Sequence, residues 1–228
     1  MVATIASLHP HAFPICERKR RRRILPVAPL VAMSLPAFGP IATPRLVIRE
    51  VRYSDLDDLF EVNGDREVTR FLPYATWQSR DDGVVWLTRM TGLVERGNAR
   101  QLVVVRKDGD KGIGTLLLFN FDPGSARLEL GYVLGRAHWR RGLMREALQS
   151  MCAYAFGSLG IRRLEAEVNS SNVASIRLLR SLGFVYEGTL RKRWVAKDAA
   201  YDTDMYGLLS VEWPNPAADS PRTTSAAR

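Results

Sequence analysis

The chain has 228 residues, 46% hydrophobic and 25% charged, which is typical of a globular domain with short tails. Its formal net charge of +9 would suit a nucleic-acid partner, but Glu17 and the basic run at 18–23 supply +5 of that charge, so we expect no nucleic-acid partner for the folded part. The chain has two cysteines, Cys16 and Cys152, which argues against a disulfide framework, and we expect Cys152 to be reduced and buried. No stretch approaches the ~20 apolar residues of a membrane span. We therefore expect a cytoplasmic protein.

The two ends of the chain lack the periodicity of helices or strands. Residues 1–43 contain six prolines and the basic run, which predicts a disordered Pro/Arg-rich extension. Three prolines interrupt the apolar stretch 24–38, which argues against a secretory signal. Two interpretations stay open: a basic tail that binds nucleic acid, or translation that begins at Met33. Residues 215–228 predict a disordered tail.

Hydrophobic periodicity predicts seven strands and four helices between these ends. In chain order they are a strand at 45–52, helices at 54–64 (N-cap Ser54) and 79–97, strands at 102–105, 113–121 and 128–134, a helix at 141–156, a strand at 161–168, a helix at 172–182, and strands at 184–194 and 201–211. A short helical turn is expected at 68–72. The order βααβββαβαββ predicts an α+β fold with a mostly antiparallel, twisted sheet and one parallel crossover through the helix at 141–156.

The loop before that helix has the features of an anion site. Arg140 and Arg141 precede Gly142, and a helical apolar pattern begins directly after it. The first turn of a helix has unpaired N–H groups and about half a positive charge, and glycine lets a ligand approach the backbone closely. The pattern therefore predicts a site for a phosphate or pyrophosphate.

Several segments together resemble the GNAT acetyltransferase superfamily, and within it the branch of ribosomal-protein N-terminal acetyltransferases. The resemblance spans roughly residues 44–214, which we take as the domain. It rests on Glu129–Leu134, Trp139–Leu148, Val168–Ser175, Leu182–Phe184 and Asp202–Tyr206, in that order. A glycine at a helix start is common by itself; the ordered set is specific.

The resemblance implies acetyl-CoA as co-substrate and assigns residues to it. The segment that matches the family's acetyl-CoA loop is Trp139, Arg140, Arg141, Gly142, Leu143, Met144 and Arg145. N–H groups from Arg141 to Arg145 are expected to hold the pyrophosphate, and the bulky Met144, where the family prefers a small residue, is expected to tighten that approach. The resemblance further implies that Val133 and Leu134 pair with the pantetheine amides and that Asn172 contacts the pantetheine, with Ser175 nearby.

Acetyl transfer to an amine needs a base for the amine proton. An α-amine with pKa near 8 is about 10% neutral at pH 7, so its deprotonation costs ~1.4 kcal/mol, against roughly 4.5 kcal/mol for a lysine. A weak base therefore suffices for a protein N terminus. Glu129 is our candidate, since it alternates with Leu128 and Leu130. The alternative is a surface carboxylate paired with Arg127 or with a neighbouring strand.

The departing thiolate needs a proton donor, and two candidates follow. By resemblance the serine before the helix asparagine, Ser171, takes this role, although Ser171 or Ser170 would also suit a helix N-cap. Tyr206 is the second candidate, with a place in the core as its alternative. We expect His138 to be exposed or to contact phosphate. The histidines and cysteines offer no metal-ligand spacing.

The leading hypothesis is an N-acetyltransferase that acts on a protein α-amine such as that of a ribosomal protein. The alternatives are acetylation of an aminoglycoside, polyamine or amino-sugar, and a non-catalytic module that binds CoA or nucleic acid. Tyr74 and Trp77 are weak candidates for acceptor specificity, and the run 191–194 favours a solvated face over the acceptor mouth. The one acidic cluster expected near the acceptor, Glu61, Asp65 and Glu67, is offset by neighbouring arginines. A monomer and a homodimer are both compatible with the sequence.

Overall fold

The computed structural model describes residues 34–213, which contain eight strands and five α-helices. The strands are β1 (Ile41–Ala42), β2 (Leu46–Glu50), β3 (Arg100–Arg106), β4 (Lys111–Asp122), β5 (Arg127–Leu134), β6 (Arg163–Asn169), β7 (Val185–Ala196) and β8 (Ala199–Leu209). The helices are α1 (Leu56–Asn63), α2 (Arg66–Thr69), α3 (Arg80–Glu95), α4 (Leu143–Gly157) and α5 (Val173–Ser181). The short helical turn expected at 68–72 lies earlier in the chain, as α2 at 66–69, and β1 is the strand that the sequence did not predict.

All of these strands join in one sheet, in the order β1-β2-β3-β4-β5-β6-β8-β7. β3, β4 and β5 form an antiparallel meander, and β2 pairs antiparallel with β3. α4 leads from β5 to β6, and these two strands are parallel, as predicted. β7 and β8 form an antiparallel pair, with β8 placed between β6 and β7. The mixed α/β fold predicted from the element order is confirmed.

The sheet is covered unequally on its two faces. The larger core lies between the sheet and α4 and α5, because the strands alternate and α4 presents one apolar stripe. Its fully buried members include Leu46, Ile48, Leu128, Leu164, Ala147, Leu148 and Met151. A smaller cluster of Leu59, Trp77, Val103 and Val105 forms on the other face, under α1 and α3. Packing in the larger core thus holds the start of α4 near the C-terminal end of β5.

Local capping explains where α3 begins. Ser79 and Asp82 form a capping box at α3, with the Asp82 carboxylate accepting from the Ser79 N–H at 3.1 Å, as the acidic first turn suggested. The predicted cap of α1, Ser54, is wrong. The residue before α1 is Asp55, whose carboxylate accepts from Arg49 at 2.7 and 2.8 Å and from the Arg52 N–H at 2.7 Å.

The packed part of the chain begins earlier than the predicted boundary at residue 44. Leu35 and Phe38 are buried in the larger core, and β1 pairs with β2. Residues 34–43 therefore belong to the domain. The predictions for residues 1–33, including Cys16 and a start at Met33, and for the tail 215–228 lie outside the described residues.

Candidate active site

The loop before α4 exposes unpaired backbone donors. Arg140 and Gly142 have left-handed backbones, with φ of 60° and 73°, and Gly142 is the N-cap residue of α4. The first intrahelical bond is from Glu146 N–H to the Gly142 carbonyl, at 3.0 Å. The N–H groups of residues 143–145 therefore have no partner within the helix, and they point out of its positive end. This is the geometry of a phosphate site, as predicted.

The apolar side chains at the start of α4 are buried, whereas the arginines of the loop before it are exposed. Leu143 and Met144 are 4% and 5% exposed and pack in the larger core. Arg140 and Arg141 are exposed. The expectation that Met144 narrows the loop is wrong, because its side chain points into the core and leaves only its backbone at the helix mouth.

An ion pair that the sequence analysis missed anchors the start of α4. The Glu146 carboxylate accepts from the Thr43 hydroxyl at 2.6 Å and from the backbone N–H and Nε of Arg45 at 2.9 and 2.6 Å. Arg45 Nη1 also donates to the Arg141 carbonyl at 2.9 Å. Arg45 thus holds the loop in place and offsets a negative charge that would otherwise oppose an anion at the helix N terminus.

A gap opens in the sheet beside this loop, because β5 and β6 pair only over residues 127–129 of β5. On its other side β5 stays paired with β4, and Gly135 N–H donates to the Ile113 carbonyl at 2.8 Å. Backbone groups of successive residues in a strand point to opposite sides. Odd-numbered residues at the end of β5 therefore face β4, and even-numbered ones face the gap.

The backbone groups that face the gap belong to Tyr132 and Leu134. The Leu134 assignment agrees with the prediction; Val133 faces β4 instead, and Tyr132 was not predicted. The Trp139 indole donates to the Leu134 carbonyl at 2.7 Å, which ties the loop to the strand end. The Tyr132 hydroxyl bonds with the Ser175 hydroxyl on α5. Hydrogen bonds thus join two of the predicted acetyl-CoA residues, Trp139 and Ser175, to the end of β5 that carries a third, Leu134.

The start of α5 lies on the far side of this gap. Its N-cap is Asn172, which accepts from Ser175 N–H at 3.2 Å, so neither Ser170 nor Ser171 caps the helix. The Ser170 hydroxyl is held by Asp204 at 2.6 Å. Ser171 is exposed, and its hydroxyl has no hydrogen bond among the described residues.

Glu129 lies where β5 and β6 separate. It is 9% exposed, and Asn120 Nδ2 donates to its Oε2 at 2.8 Å. Burial raises the pKa of Glu129 to about 7, and the nearby carboxylates of Glu167 and Glu165 add to this rise. A carboxyl with this pKa changes protonation near neutral pH, as a general base for an amine must.

Glu129 lines an open cavity of about 550 Å³ whose other carboxylates are paired with arginines. The pairs are Glu165 with Arg127 and Arg163, at 2.6 and 2.7 Å, and Glu167 with Arg193, at 2.8 Å. Glu129 forms no ion pair within residues 34–213. Of the alternative prediction, the surface position and the pairing with Arg127 are wrong, since Glu129 is buried and Arg127 binds the neighbouring Glu165. A contact with a neighbouring strand is present, through Asn120 of β4.

Tyr206 lies apart from Glu129. It is 1% exposed in the larger core, opposite Ala166 in the strand register. Gly207 is opposite Glu165, and Glu165 is opposite Glu129. Because successive side chains alternate across a sheet, Tyr206 and Glu129 are on different faces. The geometry favours the alternative of a core tyrosine.

Two acceptor-side candidates and a charged run also have defined positions. Trp77 is 5% exposed in the smaller core, so it does not line the cavity. The Tyr74 hydroxyl donates to Asn63 Oδ1 at 2.9 Å. Arg193 was expected on a solvated face, but it lines the cavity and binds Glu167.

The histidine and the cysteine within the described residues, His138 and Cys152, show no catalytic arrangement. His138 Nδ1 is buried without a partner among the described residues, and burial together with Arg106 and Arg141 lowers its pKa. Burial raises the pKa of the Cys152 thiol to about 12. Within residues 34–213 no group of His, Cys, Asp or Glu side chains suits a metal ion. No helix in that range is long and apolar enough to cross a membrane.

Comparison with known proteins agrees with this geometry. Residues 45–185 match the family described as "Acetyltransferase (GNAT) domain". A Bacillus licheniformis protein named "Uncharacterized N-acetyltransferase p20" is 35% identical over 75% of this chain and 96% of its own length. The "Ribosomal-protein-serine acetyltransferase" of Escherichia coli is 26% identical over 58% of this chain and 73% of its own length.

A solved structure supports the same assignment. A GCN5-related N-acetyltransferase from Brucella melitensis superposes with a TM-score of 0.72 and 25% identity, over 78% of this chain and 82% of that one. The helix mouth, the gap in the sheet and these similarities lead to one conclusion. The chain belongs to the GNAT acetyltransferase family and is an acetyl-CoA-dependent N-acetyltransferase.

Proposed function

We propose that this enzyme acetylates the α-amine at the N terminus of a protein, such as a ribosomal protein. The observation that carries the proposal is Glu129: a buried carboxyl with a pKa of about 7 and no cation partner among the described residues, at the edge of the gap between β5 and β6. It is the group in this cavity best suited to remove a proton from an amine.

The pKa of Glu129 favours an α-amine over a lysine. A base with pKa about 7 is within about one unit of an α-amine, whose pKa is near 8, and more than three units from a lysine near 10.4. Proton transfer is most effective when the two values are close to each other and to the working pH. A lysine acceptor would need a stronger base, or several kcal/mol from elsewhere.

The charges of the cavity argue against a polyamine acceptor. A polyamine needs several free carboxylates, but Glu165 and Glu167 are already paired with arginines. Glu129 is left to bind one amine. The Escherichia coli relative named as a ribosomal-protein-serine acetyltransferase supports the same acceptor class.

The donor side fits the pyrophosphate and pantetheine of acetyl-CoA, which supplies the acetyl thioester. The free N–H groups of residues 143–145, with Arg140 and Arg141, would hold the pyrophosphate. The backbones of Tyr132 and Leu134 face the gap where the pantetheine would lie. Asn172, Ser175 and Trp139 would border it.

We assign the two proton transfers to Glu129 and Ser171. As the bond between nitrogen and the acetyl carbon forms and the carbon–sulfur bond breaks, Glu129 takes the amine proton. The Ser171 hydroxyl, free of hydrogen bonds in the described residues, would donate a proton to the departing thiolate and regain one from water. Tyr206, buried on the other face, is the weaker donor candidate.

The test is a panel of acceptors, with turnover of each measured as the release of free thiol from acetyl-CoA. Peptides that begin with alanine or serine are compared with the same peptides blocked at the N terminus and carrying an internal lysine, and with spermidine and kanamycin. We expect turnover with free α-amines and a mass increase of one acetyl group at the N terminus. Turnover confined to spermidine or kanamycin would establish a small-amine enzyme, and no turnover with any peptide would overturn the proposal.

A further inference from the structure

β4 contains an irregularity directly opposite Glu129. Phe119 on β4 pairs with Glu129, and pairing resumes with Asp122 opposite Arg127. Two residues of β4 therefore stand against one of β5, which is a β-bulge. Asn120, the first of the two, has φ of 50°, in the left-handed region.

The bulge changes the direction of the Asn120 side chain. In a regular strand Asn120 would point to the face opposite Phe119, and so away from Glu129. Its Nδ2 instead donates to Glu129 Oε2 at 2.8 Å. Asparagine adopts the left-handed conformation more readily than most residues, so the residue type suits both the bulge and the contact.

We infer that Asn120 is a positioning residue for Glu129. The Asn120 amide holds one oxygen of the Glu129 carboxyl in place and favours the ionised form of that carboxyl. The inference rests on the proposed role of Glu129 as the base. With Oε2 occupied by Asn120, Oε1 is the oxygen left to accept a proton, since the described residues make no further hydrogen bond to this carboxyl.

The surroundings of Glu129 explain why such a contact matters. Burial raises its pKa, the hydrogen bond from Asn120 opposes that rise, Glu167 and Glu165 add to it, and Arg193 opposes it from further away. Asn120 is the side chain that bonds directly to the carboxyl. A donor to the charged form lowers the pKa of an acid, so removal of the amide must raise it.

Two substitutions separate the amide from the backbone that carries it. Asn120→Gly removes the side chain but keeps the left-handed conformation available. Asn120→Asp keeps the shape and the tolerance for positive φ, and it replaces the donor with a second carboxylate. Asn98→Ala is the matched control, because Asn98 lines the same cavity and its side chain makes no hydrogen bond within the described residues.

The measurement is a carboxyl-carbon NMR titration of the full chain labelled with ¹³C-glutamate, with the Glu129 signal assigned by its loss in Glu129→Gln. We expect Asn120→Gly to raise the Glu129 pKa by about half a unit to one unit, and Asn120→Asp by more, because like charges oppose ionisation. In assays with a peptide acceptor, kcat/KM of Asn120→Gly should fall about three- to tenfold at pH 6 and little at pH 9.

The outcomes separate this inference from the proposed function. The titration needs no acceptor, so it reports on Asn120 even when every peptide fails. An unchanged Glu129 pKa in Asn120→Gly, or an equal loss of rate at all pH values, overturns the positioning role. Retention of the acid limb of the rate profile in Glu129→Gln would instead overturn Glu129 as the base. Thermal melting of each variant confirms that it is folded.

Discussion

Replacement of Glu129 by glutamine should reduce activity strongly while the fold becomes more stable. A general base contributes about 10²- to 10⁴-fold to rate, so kcat/KM for a peptide should fall at least about 100-fold at pH 8. In the wild type, kcat/KM should rise with pH through two steps, one near 7 from Glu129 and one near 8 from the α-amine. The glutamine variant should keep the second step and lose the first.

The effect on stability has the opposite sign. The pKa of Glu129 is raised from an ordinary 4.5 to about 7 by burial. The folded state thus holds this proton more tightly than the unfolded state, and stability contributed by neutral Glu129 is lost as pH rises from about 4.5 to 7. At 1.36 kcal/mol per pKa unit the ionised group costs about 3 kcal/mol at pH 8. Glutamine removes that cost, which corresponds to about 6–12 °C in Tm for a domain of this size.

Differential scanning calorimetry at pH 5 and pH 8 tests this directly. The gain from Glu129→Gln should be largest at pH 8 and small at pH 5, where Glu129 is protonated in the folded wild type. Glu165→Gln is a control of opposite sign, since burial of Glu165 is outweighed by hydrogen bonds from Arg163 and Arg127 that lower its pKa. A glutamine variant that is less stable at pH 8, or that keeps both steps of the rate profile, would refute the assignment.

Three further predictions concern the helix mouth. Gly142→Ala forces a left-handed alanine at the N-cap of α4, which costs about 1–2 kcal/mol and should weaken acetyl-CoA binding measured by calorimetry. Gly157→Ala, at the last residue of α4 and with open space around it, should leave the affinity unchanged and raise Tm slightly, because alanine favours a helix more than glycine does. Although burial opposes it, hydrogen bonds from Thr43 and Arg45 lower the pKa of Glu146, so Glu146→Gln should lower Tm at pH 7, with a loss that shrinks as pH falls below about 4. Met144→Ala should destabilise the fold by about 2–5 kcal/mol in denaturant titrations without tightening acetyl-CoA binding, because the side chain lies in the core.

The elements of the fold were predictable because their signals are local. Alternation of Leu128, Glu129 and Leu130 defines β5, and the stripe from Leu143 to Met151 defines α4; the ends of both lie within two residues of prediction. The bulge at Asn120 was not predictable in this way. The bulge depends on which residues of β4 and β5 pair. An asparagine within an apolar run indicates only that the chain can adopt a positive φ at that position.

The features of the candidate site likewise divide into those with a local signal in the sequence and those that depend on distant residues. The helix mouth was predicted because Arg140, Arg141 and Gly142 are contiguous. The contact between Arg45 and Glu146 was missed because 101 residues separate the partners. Val133 was assigned to the pantetheine together with Leu134 from the family resemblance. Neighbours in a strand face opposite sides, and only the register with β4 decides which of the two faces the gap. Glutamates alternate along β6 on the face of the sheet that carries Glu129. This pattern is visible in the sequence but was not used to predict the site.

Within the described residues, two features beside the same gap stand out: free backbone donors at the helix mouth and a buried carboxyl without a cation. At the helix mouth, three backbone donors have no partner within α4, although Arg45 neutralises the nearby Glu146. Across the gap, arginines neutralise the carboxylates around Glu129 and leave that carboxyl without a cation. The buried carboxyl costs stability when it is ionised, whereas every helix begins with such unpaired donors. An anionic donor needs the first feature and an amine acceptor needs the second, so the free donors and the unpaired carboxyl lie where the proposed reaction would use them.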